Sequence, residues 1–402
     1  MIKQKNKILF NVDESIGKLS PHMFGANLEH IGEAIYKNGV WAEVIENRKF
    51  CGPDKLIWEN GLNDDHLDFG IIKPWKGCNP SAQHVMYAHS NSEYIVKGEE
   101  QINRFGSGKQ SQQITIRKKS KTNRGIKQSI NVNFINEEHK FSIMLKGTGQ
   151  KVYIQIGELN FVIKSHTKWF EFKKNIKFND LKTKKTLSIT INSDEIYIAN
   201  CSLMPKNTIF GFRKDVTKLI QQWLPSYIRW PGGNYLSGYN WFNGVGNKNY
   251  RLPFYDYAWY EWENNDVGTD EFMQWCEIVK SEPMITINTG NGTPEEAASW
   301  IQYITGSTKT KYGKLRSKNG RDKPYNLKTI FIGNEMFGGW QIGHCDAATY
   351  AKIYDNFVKE IKKVNKILKS NKKGKKRQVP STLSLSTDES THPLYKSPAS
   401  FV

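Results

Sequence analysis

Three segments of the chain set amides and carboxylates directly after short apolar runs. Thr329-Ile330-Phe331-Ile332 leads into Gly333-Asn334-Glu335, His22-Met23-Phe24 into Gly25-Ala26-Asn27-Leu28-Glu29-His30, and Ser226 to Trp230 into Pro231-Gly232-Gly233-Asn234. Buried parallel strands read as continuous apolar runs, and polar residues where such strands end fall on the face where barrel enzymes do their chemistry. A carboxylic acid in that position can give and take a proton, which makes Glu335 a candidate general acid. Other readings stand beside this one. Asn334-Glu335 could cap a helix or pair with an arginine, Glu29 could form an ion pair with Arg229, and Asn234 could do no more than complete a turn after two glycines. His30 reads as a hydrogen-bond partner of the site rather than as its base.

The elements that must position these residues change character along the chain. Residues 1–20 contain one strand-like run, Lys7 to Val12, and residues 21–75 contain the short strand His22 to Phe24. From 76 to 205 short strands follow at close spacing: Glu93 to Val96, Gln113 to Arg117, Ser129 to Phe134, Phe141 to Leu145, Val152 to Ile156, Trp169 to Phe172, Thr186 to Ile191 and Glu195 to Ile198. Turn residues separate them and no long helical period appears, which predicts an all-β sandwich inserted into another domain.

Residues 206–369 alternate strand and helix. Val216 to Trp223 reads as a helix. Thr269 is placed to cap a helix with Asp270 and Glu271 in its first turn. The strand Met284 to Ile287 ends in Asn288-Thr289-Gly290, and Thr293-Pro294-Glu295-Glu296 opens a helix running to about Tyr303. Tyr350, Ile353, Tyr354, Phe357, Ile361, Val364 and Leu368 recur at three- and four-residue steps, marking one face of a helix that starts near Asp346. Strand-helix alternation with polar strand ends implies a parallel sheet, of which a (β/α)8 barrel is the most economical closed form.

Composition narrows the classes. The formal charge is +19, but ten Lys or Arg against one Glu between Lys359 and Arg377 supply +9 of it, and Arg104 to Lys127 adds eight basic residues with no acid. Neither run has interleaved aromatics or a nucleic-acid motif, so both read as solvated basic faces and no nucleic-acid partner is expected. The five cysteines, at 51, 78, 201, 276 and 345, form no metal-binding spacing and read as reduced thiols. The first twenty residues hold no apolar core of signal-peptide length, and no later run approaches a membrane span. A cytoplasmic protein without a membrane partner is the expectation.

Six ordered motifs then carry a resemblance. Phe24 to His30, Glu46-Asn47-Arg48-Lys49-Phe50, Arg229-Trp230-Pro231-Gly232-Gly233-Asn234, Gly268-Thr269-Asp270-Glu271-Phe272, Gly292 to Ala298 and Gly333-Asn334-Glu335 occur in the order seen in α-L-arabinofuranosidases of glycoside hydrolase family 51. The resemblance covers residues 20–75 and 203–369. It implies a retaining hydrolase on a (β/α)8 barrel beside a β-sandwich that takes a strand from the N-terminus. It also implies arabinose-containing oligosaccharides or polysaccharides as substrates, no metal or organic cofactor, and a homo-oligomer. By the same resemblance Glu335 is the acid/base, Asn334 holds the sugar hydroxyl beside the reacting centre, and Glu29 and Asn234 contact the sugar. The inserted β region, 76–205, resembles carbohydrate-binding insertions loosely.

The resemblance stops near Lys369. Retaining hydrolysis needs a second carboxylate about 5 to 5.5 Å from the acid, which the family supplies from the end of its seventh strand. Residues 370–402 are instead basic and then rich in Ser, Thr and Pro, and Glu389 follows no apolar strand. The sequence-level expectation is therefore the first half of a barrel, strands one to four, in a frameshifted or truncated chain without its nucleophile. A non-catalytic sugar-binding remnant and an endo-acting glucanase of the same barrel type remain as alternatives.

Overall fold

In the computed structural model, which describes residues 23–51, 66–91 and 110–364, the chain starts with a two-residue strand β1 (Ala26–Asn27) and one helical turn α1 (Gly32–Ile35). The strand expected at His22 to Phe24 is thus displaced along the chain. Met23 and Phe24 are exposed, and the register begins only after Gly25, which lies flat against the ring of Tyr227 where a Cβ would sit 2.1 Å from Cε1. The strands expected at Lys7 to Val12 and Glu93 to Val96, the helix beyond Val364 and the 370–402 tail lie outside the described residues.

Ten antiparallel strands follow: β2 (Lys76–Cys78), β3 (Val85–Asn91), β4 (Gln110–Ile116), β5 (Arg124–Asn131), β6 (His139–Gly147), β7 (Lys151–Ile156), β8 (Leu159–Lys164), β9 (Phe170–Ile176), β10 (Lys184–Ile191) and β11 (Glu195–Pro205). They form two five-stranded sheets, β2-β5-β10-β7-β8 and β3-β4-β11-β6-β9. Alternate residues of both sheets, among them Ile126, Ile154 and Ile189 from one and Ile114, Ile143 and Ile196 from the other, enter a single apolar core. Each such side chain, taken wholly out of water, contributes about 1.5–3 kcal/mol.

The remainder alternates: α2 (Lys214–Trp223), β12 (Tyr227–Trp230), a hairpin of β13 (Phe254–Asp256) and β14 (Glu261–Glu263), α3 (Thr269–Val279), β15 (Glu282–Ile287), α4 (Pro294–Thr305), α5 (Lys311–Lys318), β16 (Thr329–Ile332) and α6 (Ala347–Val364). Strands β1, β12, β15 and β16 pair in that order, all parallel, so their C-terminal ends share one edge. Helix starts follow local chemistry. Thr293 accepts from the Glu296 amide at 3.1 Å with Pro294 at the first helical position, and Asp346 accepts from the Thr349 amide at 2.7 Å. The cap expected of Thr269 belongs to Gly268. Gly268 packs on Gly244 too closely for any side chain, its amide donates to Glu271 at 3.0 Å, and the Thr269 hydroxyl is taken by the Trp300 indole at 2.9 Å.

A buried polar seam joins the antiparallel and parallel parts. Segment 41–51 crosses β11, with Val44 and Cys201 exchanging backbone hydrogen bonds with Leu203 and Arg48. Arg48 then reaches Asp266, just before α3, through Nε and Nη2.

Candidate active site

Because the four parallel strands end together, the segments singled out by sequence converge. Glu29 and His30 follow β1, Pro231 to Asn234 follow β12, Asn288 to Gly290 follow β15, and Gly333 to Glu335 follow β16. Backbone bonds lace the first two loops, with the Leu28 amide donating to Arg229 and the His30 amide to Pro231, each at 2.9 Å.

Arg229, on β12, organises the set. Its Nη2 donates to Oδ1 of Asn334 at 2.6 Å, Nη1 lies 3.9 Å from the Glu29 carboxylate, and the guanidinium lies over the Phe331 ring with Cζ 5.3 Å from the centroid. Burial draws the Arg229 pKa below its ordinary value while the carboxylates of Glu29 and Glu335 oppose that shift, and an arginine remains a cation throughout. The Glu29 ion pair considered from sequence is thus present only at its outer limit, and the short contact goes to Asn334.

That contact fixes the Asn334 amide. Arginine can only donate, so Oδ1 must face it and Nδ2 must point the other way. Nδ2 is buried and has no hydrogen-bond partner in the protein. A buried donor left unsatisfied costs about 1–3 kcal/mol, so a donor of this kind beside a carboxylic acid is chemistry waiting for an acceptor.

Glu335 is exposed and sits at φ +45°, after Gly333 at φ +79°. A left-handed glutamate is uncommon, and its loop holds it there. The Gly338 amide donates to the Glu335 carbonyl at 2.8 Å, Gln341 donates to the Asn334 carbonyl at 2.6 Å, and the Ser237 hydroxyl donates to Gln341. The Trp340 indole donates to Oε2 of Glu335 at 3.3 Å.

Asn234 is half-buried and opens a 3-10 turn, Asn234–Gly238. Gly233 before it has φ +61° and ψ −167°, and a Cβ there would lie 2.6 Å from Oε2 of Glu29. The glycine therefore lets the Glu29 carboxylate rest on the turn that carries Asn234. All four residues expected at the site are brought to one edge.

His30 is buried behind the strand-end loops. The Trp230 indole donates to its Nδ1 at 3.1 Å, so the proton sits on Nε2, which faces Glu263 at 2.8 Å. Its ring stacks on Tyr235, with centroids 4.3 Å apart. Tyr36 also donates to Glu263. Burial, with Glu263 nearby, lifts the Asp256 carboxyl to about 6.

Sequence reasoning passed over two features. One is the Arg229 to Asn334 bond. The other is the β13–β14 hairpin, tied to the loop after β1 by His30–Glu263 and to the turn after α1 by Lys37–Glu261, with Tyr257, Trp259 and Tyr260 exposed around its tip. The run Tyr255-Asp256-Tyr257-Ala258-Trp259-Tyr260-Glu261-Trp262 was the available signal. Hollows of about 310 and 360 Å³ lie away from this edge. The second is lined by Ser226, Glu282 and Lys328 at the N-terminal ends of the strands, opposite the chemistry. Among the described residues no cluster of three or more His, Cys, Asp or Glu could hold a metal, and no helix is long and apolar enough to cross a membrane.

Residues 219–402 match the family model described as the alpha-L-arabinofuranosidase 1 domain. Probable alpha-L-arabinofuranosidase C of Aspergillus clavatus is 42% identical over 159 residues, 40% of this chain and 32% of that protein. Intracellular exo-alpha-(1->5)-L-arabinofuranosidase 1 of Bacillus subtilis is 41% identical over 155 residues, 39% of this chain and 31% of that protein. The matched stretch thus spans about a third of the length of these relatives. An arabinose-bound MgGH51 α-L-arabinofuranosidase shares the fold over 85% of this chain and 57% of its own, with a TM-score of 0.69 at 20% identity.

Proposed function

We propose that this chain is a relative of the α-L-arabinofuranosidases of glycoside hydrolase family 51 and that its strand-end site binds a terminal α-L-arabinofuranosyl residue and protonates the bond that releases it; the match of residues 219–402 to the alpha-L-arabinofuranosidase 1 domain supports this reading. The observation that carries this reading is the Asn334 amide, oriented by Arg229 so that a buried, unpartnered donor lies next to Glu335.

Glu335 gives its proton to the leaving oxygen and later takes one from water. Asn334 Nδ2 donates to the hydroxyl beside the reacting carbon, a bond that strengthens as positive charge develops there. Glu29 accepts from sugar hydroxyls across the Gly233 turn, and Asn234 contacts the same ring. Arg229 supplies the fixed positive charge that holds Asn334 and faces both carboxylates. The covalent step needs a second carboxylate as nucleophile, and none of the described residues is assigned that role.

In the same reading the parallel strands are the first four of a (β/α)8 barrel, spanning 21–75 and 206–369. The antiparallel sheets within 76–205 are an inserted sandwich of carbohydrate-binding type. The single parallel sheet with its strand-helix alternation supports the barrel assignment. Substrates are arabinose-containing oligosaccharides or polysaccharides, and the printed name of the Bacillus relative favours an intracellular location.

The test is equilibrium binding of methyl α-L-arabinofuranoside and of a β-glucan oligosaccharide to the full chain and to Asn334→Ala. Arabinoside binding that weakens about tenfold or more in the variant, the loss of one buried hydrogen bond, is expected. Equal binding by the two proteins, or preference for the glucan, overturns the assignment.

A further inference from the structure

The antiparallel part carries a feature that the strand-end site does not use. On the sheet β3-β4-β11-β6-β9 a single row of side chains runs across the strands: Gln113 on β4, Tyr197 on β11, Lys146 on β6 and Trp169 just before β9. Tyr197 is the cross-strand partner of both Gln113 and Lys146. The Lys146 ammonium lies 4.8 Å from the Tyr197 ring centroid and 5.4 Å from that of Trp169.

The pleat decides which way the row points. Ile114, Leu145, Ile196 and Ile198, the chain neighbours of these residues, are wholly buried in the shared core, so the row stands on the opposite face. All four members are partly exposed. Farther along the same face Met144 and Asn200 are covered, where segment 41–51 crosses β11. The row is therefore an open ledge beside a covered patch.

Its chemistry is mixed in a particular way. Two aromatic rings stand two strands apart, about 9.6 Å by the spacing of strands, the reach of two linked sugar rings. Between and beside them lie an ammonium, an amide, a carboxylate and hydroxyls. Gln113 donates to Glu195 at 3.1 Å and to Thr115 at 3.2 Å, and Glu195 and Thr115 are themselves cross-strand partners. Burial, together with Glu195 beside it, raises the Tyr197 pKa, so its hydroxyl stays a donor. A sugar ring offers an apolar C–H face to stack on an aromatic and a rim of hydroxyls for amide, carboxylate and ammonium groups. Single-stranded nucleic acids also stack their bases on aromatics, but the Glu195 carboxylate in the strip repels their phosphates.

We infer that this row is a docking strip for a neutral polysaccharide chain, with successive sugars over Tyr197 and Trp169 and their hydroxyls read by Gln113, Glu195 and Lys146. The inference rests on the carbohydrate-binding reading of the sandwich and gives that reading a face and residues. Lys146, on a flexible stem, moves from the ring faces to the hydroxyls when sugar arrives.

The experiment is electrophoresis of the full chain through gels containing soluble arabinoxylan, linear arabinan or a mixed-linkage β-glucan. At least one polysaccharide should retard the wild type. Trp169→Ala and Tyr197→Ala should each weaken retention about tenfold, as truncating an aromatic anchor does. Tyr153→Ala, on the outer face of the other sheet, should not. Unfolding temperatures are measured alongside, and should either aromatic variant misfold, Gln113→Ala must weaken retention in its place. If wild type and variants are retarded alike, the strip is wrong while the sandwich reading survives. If no polysaccharide retards the wild type, both fall. If the variants lose retention by polyuridylate and not by polysaccharide, the strip belongs to nucleic acid and the inference is overturned.

Discussion

The Nη2 of Arg229 donates to Oδ1 of Asn334 at 2.6 Å, joining the end of β12 to the end of β16 across the intervening β15. The bond makes the orientation of the Asn334 amide depend on a residue two strands away. Arg229→Met keeps most of the volume and removes the fork. It should weaken arabinoside binding about as much as Asn334→Ala does, by 1–3 kcal/mol for one buried polar contact, as read by titration calorimetry. Binding unchanged in Arg229→Met would show that Asn334 orients itself.

Gly233 tests the packing of Glu29. With φ +61° and ψ −167°, a region open essentially to glycine alone, and a Cβ position 2.6 Å from the Glu29 carboxylate, Gly233→Ala meets strain and collision together. It should cost about 1–3 kcal/mol of stability in urea unfolding and should also weaken arabinoside binding. A stability loss with intact binding would detach Glu29 from the sugar.

The seam between the two parts depends on Asp266. Burial raises its pKa, but Arg48 and Lys49 outweigh that and bring it to about 2. Asp266→Asn removes the anion that Arg48 and Lys49 share, leaving only Glu43, 4.0 Å from Arg48, and should cost about 3–5 kcal/mol in the urea midpoint at pH 7. A cost below 1 kcal/mol would mean that the seam is wet.

Glu43, in the same seam, predicts a pH dependence. Burial lifts its carboxyl to about 7 against Arg48 and the donors from Ser202, Leu203 and Ile45. An acid whose folded pKa exceeds its unfolded one binds its proton more tightly when folded. Its contribution is therefore complete below about pH 4.5 and is lost as pH rises to about 7, a change of about 3 kcal/mol. Unfolding curves at pH 4.5, 6 and 7.5 should show this decline in the wild type and a flatter profile in Glu43→Gln. Parallel profiles would contradict it.

Much of the site was legible because strand ends announce themselves. An apolar run broken by Gly-Asn-Glu needs no tertiary information, and Thr293-Pro294 marks a helix start by local bonding alone. Thr269 misled for a tertiary reason, since Gly244 claims the space beside Gly268 and Trp300 claims the threonine hydroxyl. Strands β2, β3 and β8 lacked a usable alternation. In β8, Val162 faces solvent and Ile163 the core, so apolar residues fall on both faces. Helix α5, Lys-Tyr-Gly-Lys-Leu-Arg-Ser-Lys, has no apolar period and is anchored instead by Arg316, which is fully buried and donates to the carbonyls of Tyr303 and Asp322. The Arg229 to Asn334 bond was hidden because strand order, not sequence distance, sets it.

Turnover by the wild type and Glu335→Ala, on an activated aryl α-L-arabinofuranoside and on an arabinose disaccharide with azide as external nucleophile, tests the central claim most directly. If Glu335 is the acid, the variant loses most turnover of the disaccharide, whose leaving group needs a proton, and far less on the aryl substrate. Equal losses on both substrates would contradict the assignment.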